Sequence, residues 1–369
     1  MYNILTLNKI AACGTEKFDK AKYTVSDSVE DPTGILVRSA VMHDMTFGAD
    51  LLAIGRAGAG TNNIPVDKCA EQGIVVFNTP GANANAVKEL VLAGLFLSSR
   101  KVTKAVAWAA DLKDTEEMNV AKQVEKGKSQ FAGPEVLGKT LGVIGLGAIG
   151  RKVAEAAAAL GMTVIGTDPF LSEAAAAEIA PFCKVVATKE EVYAAADYIT
   201  LHVPCNADTK GFMNAAVFAQ LKDGARILNF ARGELVNDTD LEAALASGKV
   251  ACYVTDFPNA KTVAMDGVVA IPHLGASTPE SEDNCAKMAA DELIDYIENG
   301  NIRNSVNFPN VSCDAAGRKV CVLFKEGADV TGACCSGVKK GFGYAIFTGD
   351  ADADALAAKD GVIKVRVIG

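Results

Sequence analysis

Three ionisable residues, Arg232, Asp256 and His273, each follow a short apolar segment typical of a buried strand. The carboxyl ends of parallel strands meet at one edge of a sheet, so these side chains are expected at the same edge. Arginine holds a carboxylate through two hydrogen bonds, and histidine can both take and return a proton near neutral pH. A neighbouring carboxylate orients such a histidine and stabilises its charged form. The set therefore indicates proton transfer on a substrate that carries a carboxylate.

The chain contains three histidines, which are not equivalent candidates for this chemistry. His43 lies in a polar segment typical of a helix start and is expected on the surface. His202 precedes Val203 and Pro204 at a predicted strand end, where either a core position or the edge of a cofactor site is expected. His273 lies among small residues that permit close approach of a ligand, so it is the candidate acid–base, with a structural role as the alternative.

A glycine-rich turn, Gly145-Leu-Gly-Ala-Ile-Gly150, separates a predicted strand at 140–144 from a predicted helix at 151–160. A second strand at 162–166 completes a βαβ unit, and Asp168 follows it, 168 − 150 = 18 residues after the last glycine. The glycines permit a tight turn and close approach of a pyrophosphate, and the helix N-terminus offers N–H groups to phosphates. The pattern predicts an NAD site, because an aspartate repels the 2′-phosphate of NADP; a glycine-rich turn without a ligand is the alternative. The predicted contacts are Gly145, Gly147, Ala148, Ile149, Gly150 and Asp168.

The N-terminal part of the chain must position a second group of candidates. Strands are predicted at 3–7, 34–38, 50–56 and 73–78, and alternation with helices indicates a parallel sheet. Arg38 and Arg56 end two of these strands, and a glycine-rich loop at 57–61 can turn successive N–H groups towards an anion. The candidate substrate contacts are Arg38, Arg56, Gly58, Ala59 and Gly60, with a solvated surface charge as the alternative for each arginine.

The composition limits the classes of protein that this chain can represent. A net charge of −9 argues against general binding to nucleic acid or acidic membranes. The ten cysteines form no CxxC pair and no zinc-type cluster, so free thiols in a reducing cytosol and no metal site are expected. The N-terminus lacks a signal-peptide pattern, and the longest apolar run, 90–97, is too short to span a bilayer. We expect a soluble cytoplasmic protein.

Over about residues 30–310 the chain resembles the D-isomer-specific 2-hydroxyacid dehydrogenases. The matching segments are Gly145 to Gly150, Leu201 to Pro204, Asn229 to Gly233, Pro272 to Thr278 and Asn304 to Pro309. The resemblance implies that Arg232 binds the substrate carboxylate, that His273 is the acid–base, and that Arg56 with the following loop contacts the substrate. It also implies a homodimer or homotetramer with NAD as cofactor. Further residues expected to line NAD are His202, Val203, Pro204, Ala231, Asp256, Gly275 and Ala276.

The predicted fold is α/β, with two doubly wound parallel-sheet domains. A flavodoxin-like substrate domain is expected at 1–98 and 283–310, made discontinuous by a return helix, and a Rossmann-type NAD domain at 99–282. Residues 311–369 resemble a small, shortened ACT-like α+β domain with strands at 318–324, 344–347 and 362–368. Only 344 − 324 = 20 positions separate the first two of these strands, which leaves little room for the usual helix and strand. We therefore predict weak or absent inhibition by serine.

One departure from the family pattern concerns the partner of the histidine. Most members place a glutamate shortly after the aspartate that matches Asp256, but this chain has Lys261 there and no acid before Asp266. We hypothesise that Asp256 or another acid takes over this role. The segments after residue 272 favour the branch that oxidises 3-phosphoglycerate with NAD. Another D-2-hydroxyacid dehydrogenase, such as a hydroxypyruvate reductase, and a non-catalytic NAD-sensing protein are the alternatives.

Overall fold

Short apolar segments between turns form the strands of the N-terminal sheet, since β-branched side chains favour a sheet buried on both faces. The computed structural model describes the backbone of residues 1–369 and every side chain except those of Asp114 and Met118. The elements up to residue 83 are β1 (Tyr2–Leu7), α1 (Ala12–Thr15), β2 (Tyr23–Ser26), β3 (Gly34–Val37), β4 (Ala53–Arg56), α2 (Val66–Glu71) and β5 (Val75–Asn78). The strands pair in parallel in the order β2-β1-β3-β4-β5, so the predicted flavodoxin-like sheet is confirmed.

The central part of the chain forms the second parallel sheet. Its helices are α3 (Ala84–Ser99), α4 (Val102–Ala110), α5 (Glu117–Gly127), α6 (Ala148–Ala159), α7 (Glu173–Ile179), α8 (Lys189–Ala195), α9 (Ala215–Gln220) and α10 (Asp238–Ala246). Its strands are β6 (Thr140–Ile144), β7 (Thr163–Thr167), β8 (Lys184–Val185), β9 (Tyr198–Leu201), β10 (Ala225–Asn229), β11 (Val250–Thr255) and β12 (Val268–Ala270). The order β12-β11-β10-β9-β6-β7-β8 is the Rossmann order extended by one strand, and it reverses between β6 and β9. Ligands of such sheets bind at this reversal, outside the carboxyl ends of the strands.

The C-terminal part begins with a long helix, α11 (Pro279–Asn299), and ends in an antiparallel sheet. Thr278 caps the helix N-terminus, and Gly300 ends the helix in the left-handed conformation. The following elements are β13 (Lys319–Lys325), β14 (Cys335–Lys339), β15 (Phe342–Thr348), α12 (Ala353–Ala357) and β16 (Val362–Ile368). The order β14-β15-β13-β16 fits an ACT-like sheet in which a loop at 326–334 replaces the first helix.

The small sheet packs against the C-terminal end of α11. Tyr344 donates a hydrogen bond of 2.6 Å from its hydroxyl to the Gly300 carbonyl. Arg366 donates to the carbonyls of Tyr296 and Ile297, and its guanidinium lies 4.4 Å from the centre of the Tyr296 ring. The carbonyls of Ile297 and Gly300 are among those that the end of a helix leaves without an intrahelical partner, whereas the Tyr296 carbonyl also accepts from the Gly300 N–H at 3.0 Å. The sheet is therefore an integral part of the unit that contains α11.

Contacts divide the chain into two units, residues 1–83 with 278–369, and residues 84–277. The second unit includes α3, because Val91 and Leu95 share a core with Phe230 and Val254. The grouping thus differs from the predicted break at residue 98. The sequence pattern predicts one long helix from Asn85 to about Lys104, with Phe96 on its buried side. The structure instead has two helices here, α3 and α4, and Phe96 is 43% exposed. Within the described residues, no helix combines the length and apolarity of a membrane span.

Candidate active site

The glycine motif forms the turn between β6 and α6, and each of its glycines occupies a position with a distinct steric requirement. Gly145 has a φ of +95°, and a Cβ there would lie 2.5 Å from the His202 carbonyl oxygen. A Cβ on Gly150 would lie 2.0 Å from the Gly145 oxygen, so the helix can approach the turn only without a side chain. Gly147 is the N-cap of α6, and no atom lies within 4 Å of the position of its missing Cβ. The open space at the helix N-terminus fits a pyrophosphate.

Asp168 follows β7 and is bonded to the glycine motif itself. Its Oδ2 accepts a hydrogen bond of 2.9 Å from the Leu146 N–H, and its Oδ1 accepts one of 2.9 Å from the Phe170 N–H. A carboxylate has about four lone-pair sites, so two remain for the hydroxyls of a ribose. The residues of this βαβ unit therefore fit a dinucleotide such as NAD.

The segment after β9 lies beside the glycine motif. The His202 N–H donates to the Ile144 carbonyl at 2.8 Å, and its Nε2 lies 2.9 Å from Thr200 Oγ1. Desolvation lowers the pKa of His202 to about 3, so its imidazole is neutral at physiological pH. This residue, with Val203 and Pro204 after it, fits the edge of a cofactor site better than an acid–base role near neutral pH.

Arg232 is held by a buried asparagine at the end of β10. Asn229 donates from Nδ2 to the Arg232 carbonyl at 2.8 Å, and its Oδ1 accepts from the Ala231 and Arg232 N–H groups at 3.2 and 3.3 Å. The exposed guanidinium of Arg232 donates to the Ala231 carbonyl at 2.6 Å. The backbone is thus fixed while the guanidinium remains accessible to an anion.

A phenylalanine connects Arg232 with His273. Phe257 follows Asp256 directly, and the guanidinium carbon of Arg232 lies 5.6 Å from the centre of its ring. The imidazole of His273 contacts the same ring, with a centroid distance of 4.3 Å and an interplanar angle of 45°. The structure therefore brings together the arginine and the exposed histidine that the sequence pointed to, through a residue that the sequence did not.

Asp256 lies at the end of β11 and is only 1% exposed. Burial raises the pKa of its carboxyl to about 6, although the nearby N–H of Gly275 and the charge of Arg232 act in the opposite direction. A Cβ on Gly275 would lie 3.4 Å from Asp256 Oδ2 and 3.2 Å from Val87, so the loop of Gly275 and Ala276 packs closely over the carboxyl. Asp256 is thus a buried group beneath this loop, and its catalytic role remains a prediction.

The first unit carries Arg56 at the end of β4. Its guanidinium lies against Gly58, where a Cβ would come within 1.3 Å of Arg56 Nη1. Asn78 Nδ2 donates to the Ala59 carbonyl at 2.6 Å and holds the loop. Within the part of the chain that the structure describes, the N–H groups of Ala59 and Gly60 donate no hydrogen bond. The loop can therefore offer donors to an anion, as the sequence predicts.

Arg38 follows β3, and its Nη2 lies 2.7 Å from Glu282 Oε1. The two side chains are 39% and 42% exposed. Exposed pairs contribute only ~0.2–1 kcal/mol, so Arg38 can exchange Glu282 for another anion at little cost. His43, expected at a helix start, lies instead in an exposed turn, and its Nε2 is 2.9 Å from the Asn62 carbonyl.

Several known proteins resemble this chain in sequence and in fold. Residues 102–275 match the family described as D-isomer specific 2-hydroxyacid dehydrogenase, NAD binding domain. Residues 102–275 therefore resemble the NAD-binding domain of this dehydrogenase family. The D-3-phosphoglycerate dehydrogenase of Rattus norvegicus is 34% identical over 301 residues, which are 79% of this chain and 54% of the relative. The enzyme of the same name from Bacillus subtilis is 32% identical over 333 residues, 85% of this chain and 60% of the relative.

A solved structure of the family shows the same fold. The NAD⁺-bound 3-phosphoglycerate dehydrogenase of Entamoeba histolytica superposes with a TM-score of 0.66 at 26% identity, and covers 83% of this chain and 98% of its own. The chain spans 54% and 60% of the lengths of the rat and Bacillus relatives.

Sequence reasoning missed two residues of this site. Asn229 fixes the backbone of Arg232. It is a polar residue at a strand end, and this position could have identified it as part of the site. Phe257 could not be identified from the sequence, because no spacing pattern distinguishes an apolar residue of a functional site from one of the hydrophobic core.

In the described part of the chain, no group of three His, Cys, Asp or Glu side chains fits a metal ion.

Proposed function

We propose that this protein is an NAD-dependent dehydrogenase that oxidises D-3-phosphoglycerate to 3-phosphohydroxypyruvate, the first step of L-serine biosynthesis. The observation that carries the proposal is the contact of Arg232 and His273 with one ring, Phe257, in the unit that contains the glycine motif. Oxidation of a 2-hydroxy acid requires a cationic group that binds the carboxylate and an acid–base that accepts the hydroxyl proton. The relatives named D-3-phosphoglycerate dehydrogenase support the choice of substrate.

In this mechanism Arg232 binds the substrate carboxylate through two charge-assisted hydrogen bonds and thereby orients the carbon that bears the hydroxyl. His273, as neutral imidazole, takes the hydroxyl proton during oxidation and returns it during reduction. NAD, when bound, supplies the hydride acceptor. We propose that its pyrophosphate binds at Gly147 and that its ribose hydroxyls bind to Asp168. Asp256, which carries a negative charge when ionised, favours the protonated histidine.

The substrate phosphate needs its own cation. We propose Arg56 and the N–H groups of Ala59 and Gly60 for this role, with Arg38 as a second candidate. The guanidinium of Arg56 and these N–H groups belong to one short segment, which makes it the better match for a dianion. A cytoplasmic location, which the sequence composition favours, and a homodimer or homotetramer, which the family resemblance implies, complete the proposal.

The test is oxidation of NADH by the purified protein with 3-phosphohydroxypyruvate, hydroxypyruvate or pyruvate. The proposal predicts a kcat/KM for 3-phosphohydroxypyruvate at least ~100-fold above that for hydroxypyruvate, because one phosphate held by arginine contributes several charge-assisted hydrogen bonds. A preference for hydroxypyruvate or pyruvate would indicate another D-2-hydroxyacid dehydrogenase. NADH binding without turnover of any of the three would indicate the NAD-sensing alternative. His273→Gln serves as the inactive control, since glutamine keeps the size but cannot exchange the proton.

A further inference from the structure

The loop after β11 places an aromatic ring against both functional side chains of the second unit. Phe257 is partly buried, and its N–H donates to the Oγ1 of the buried Thr255 at 3.0 Å. A Cβ on Gly233 would lie 3.3 Å from the Phe257 Cβ, so the arginine loop packs on the phenylalanine backbone. The backbone and the Cβ of Phe257 are therefore held in place by these contacts, and the ring extends from them.

The remainder of this loop is also restrained. Asn259 Oδ1 accepts from the N–H groups of Lys261 and Thr262 at 2.9 and 3.0 Å, and Thr262 is 2% exposed. The segment between Asp256 and Asp266 contains no acidic residue, and Lys261 within it is exposed. The loop thus presents a ring, and not a carboxylate, to the side chain of His273.

We propose that Phe257 is a positioning residue that holds the imidazole of His273 and favours its protonated form through the face of the ring. The electron-rich face of an aromatic ring attracts a cation within about 6 Å, and the Arg232 guanidinium carbon and the His273 ring centre lie 5.6 and 4.3 Å from the centre of the Phe257 ring. Neutral imidazole gains less from the same contact, so the ring shifts the proton equilibrium of His273 towards imidazolium. The Arg232 guanidinium rests on the same ring and is kept near the histidine.

Other charges act on this histidine as well. Arg232 disfavours the imidazolium, whereas Asp256 favours it when ionised. Helix α3 packs against the Gly275 loop through Val87. The next residue of this helix is Lys88, whose Nζ lies 3.6 Å from Glu89 Oε1. A variant that changes only Phe257 retains all four charged groups, and Arg232 then lacks the ring on which its guanidinium rests.

The first test does not depend on turnover. The full-length protein is labelled at histidine Cε1, and His273 is titrated by NMR in the wild type, Phe257→Leu and Phe257→Tyr. Three histidines make the assignment possible with one His273→Gln spectrum. Leucine retains apolar bulk without a ring face, so the pKa of His273 is expected to fall by about 0.5 unit, while tyrosine retains the wild-type value. An unchanged pKa in Phe257→Leu would overturn the proposal.

The second test rests on the proposed function. In the oxidation direction, kcat/KM requires neutral His273, so the acidic limb of its pH profile is expected to move about 0.5 unit lower in Phe257→Leu. Phe257→Tyr is expected to restore the wild-type profile. A limb that stays in place while the NMR pKa moves would refute the acid–base part of the inference. If the wild type oxidises no hydroxy acid, the proposed function fails, whereas the titration still decides the role of Phe257.

Discussion

Replacement of Gly147 by alanine tests whether the open space at the N-terminus of α6 is a phosphate site. Gly147 has φ and ψ of −69° and −163°, which alanine adopts without strain. No atom lies within 4 Å of the position that a Cβ would take there, so the fold accommodates the methyl group. An N-cap alanine costs about 0.5–1 kcal/mol relative to better caps, so only a small loss of stability is expected.

The effect on the cofactor should be much larger. The methyl group would occupy the space in which a pyrophosphate approaches the N–H groups of residues 147–149. Loss of one charge-assisted hydrogen bond costs about 1.5–3 kcal/mol, and each 1.4 kcal/mol is a factor of ten in affinity. We therefore expect the Kd for NADH to rise by roughly 10- to 150-fold in Gly147→Ala.

Fluorescence titration with NADH measures this change, and thermal unfolding without cofactor measures stability. Gly224→Ala is the control, because Gly224 also has open space but a φ of +74°. The control should lose stability and keep its affinity for NADH, whereas Gly147→Ala should lose affinity for NADH with only a small loss of stability. An affinity unchanged in Gly147→Ala would refute the assignment of this space to the pyrophosphate.

Five further outcomes follow from the sequence and the structure. Asp256→Asn should displace the pH–rate profile, and an unchanged profile would exclude Asp256 as the partner of the histidine. Burial raises the folded-state pKa of Asp256 to about 6, so the free energy of unfolding of the wild type should fall by up to roughly 3 kcal/mol as the pH rises from about 4 to 6. Urea unfolding of Asp256→Asn should not show this loss. Gly58→Ala should displace the Arg56 guanidinium and raise the KM for 3-phosphohydroxypyruvate about tenfold or more with little change in NADH affinity; an equal KM would argue against this loop. Tyr344→Phe should lower the free energy of unfolding by about 1–2 kcal/mol, since it leaves a buried carbonyl without its donor, and a neutral result in urea unfolding would contradict that account. L-Serine should inhibit weakly or not at all in a dose–response assay, and strong inhibition would show that the shortened sheet still carries an effector site.

The sequence predicted both parallel sheets because their strands are short, apolar and separated by clear turns. It did not predict β2 or β14. The latter contains Cys335, Ser336 and Gly337 in a half-exposed edge strand, where no apolar alternation marks a strand. The division between α3 and α4 also escaped prediction, since no proline or cap precedes Val102.

The candidate site was predictable where a residue type carries its own chemistry. Gly145, Asp168 and Arg232 were identified by motif and by position at strand ends. The burial of Asp256 and the ring of Phe257 were not, because both depend on how the loop at 272–276 packs over β11. Such contacts arise from tertiary packing and leave no local pattern.

Transfer of hydride from NADH to C2 of the substrate can be followed directly with deuterium. The protein is mixed with 3-phosphohydroxypyruvate and NADH deuterated at the transferring position, and the product is analysed for deuterium and chirality. The proposed mechanism predicts D-3-phosphoglycerate with deuterium at C2, and no product from His273→Gln. Absence of deuterium at C2, or formation of the L-isomer, would contradict it.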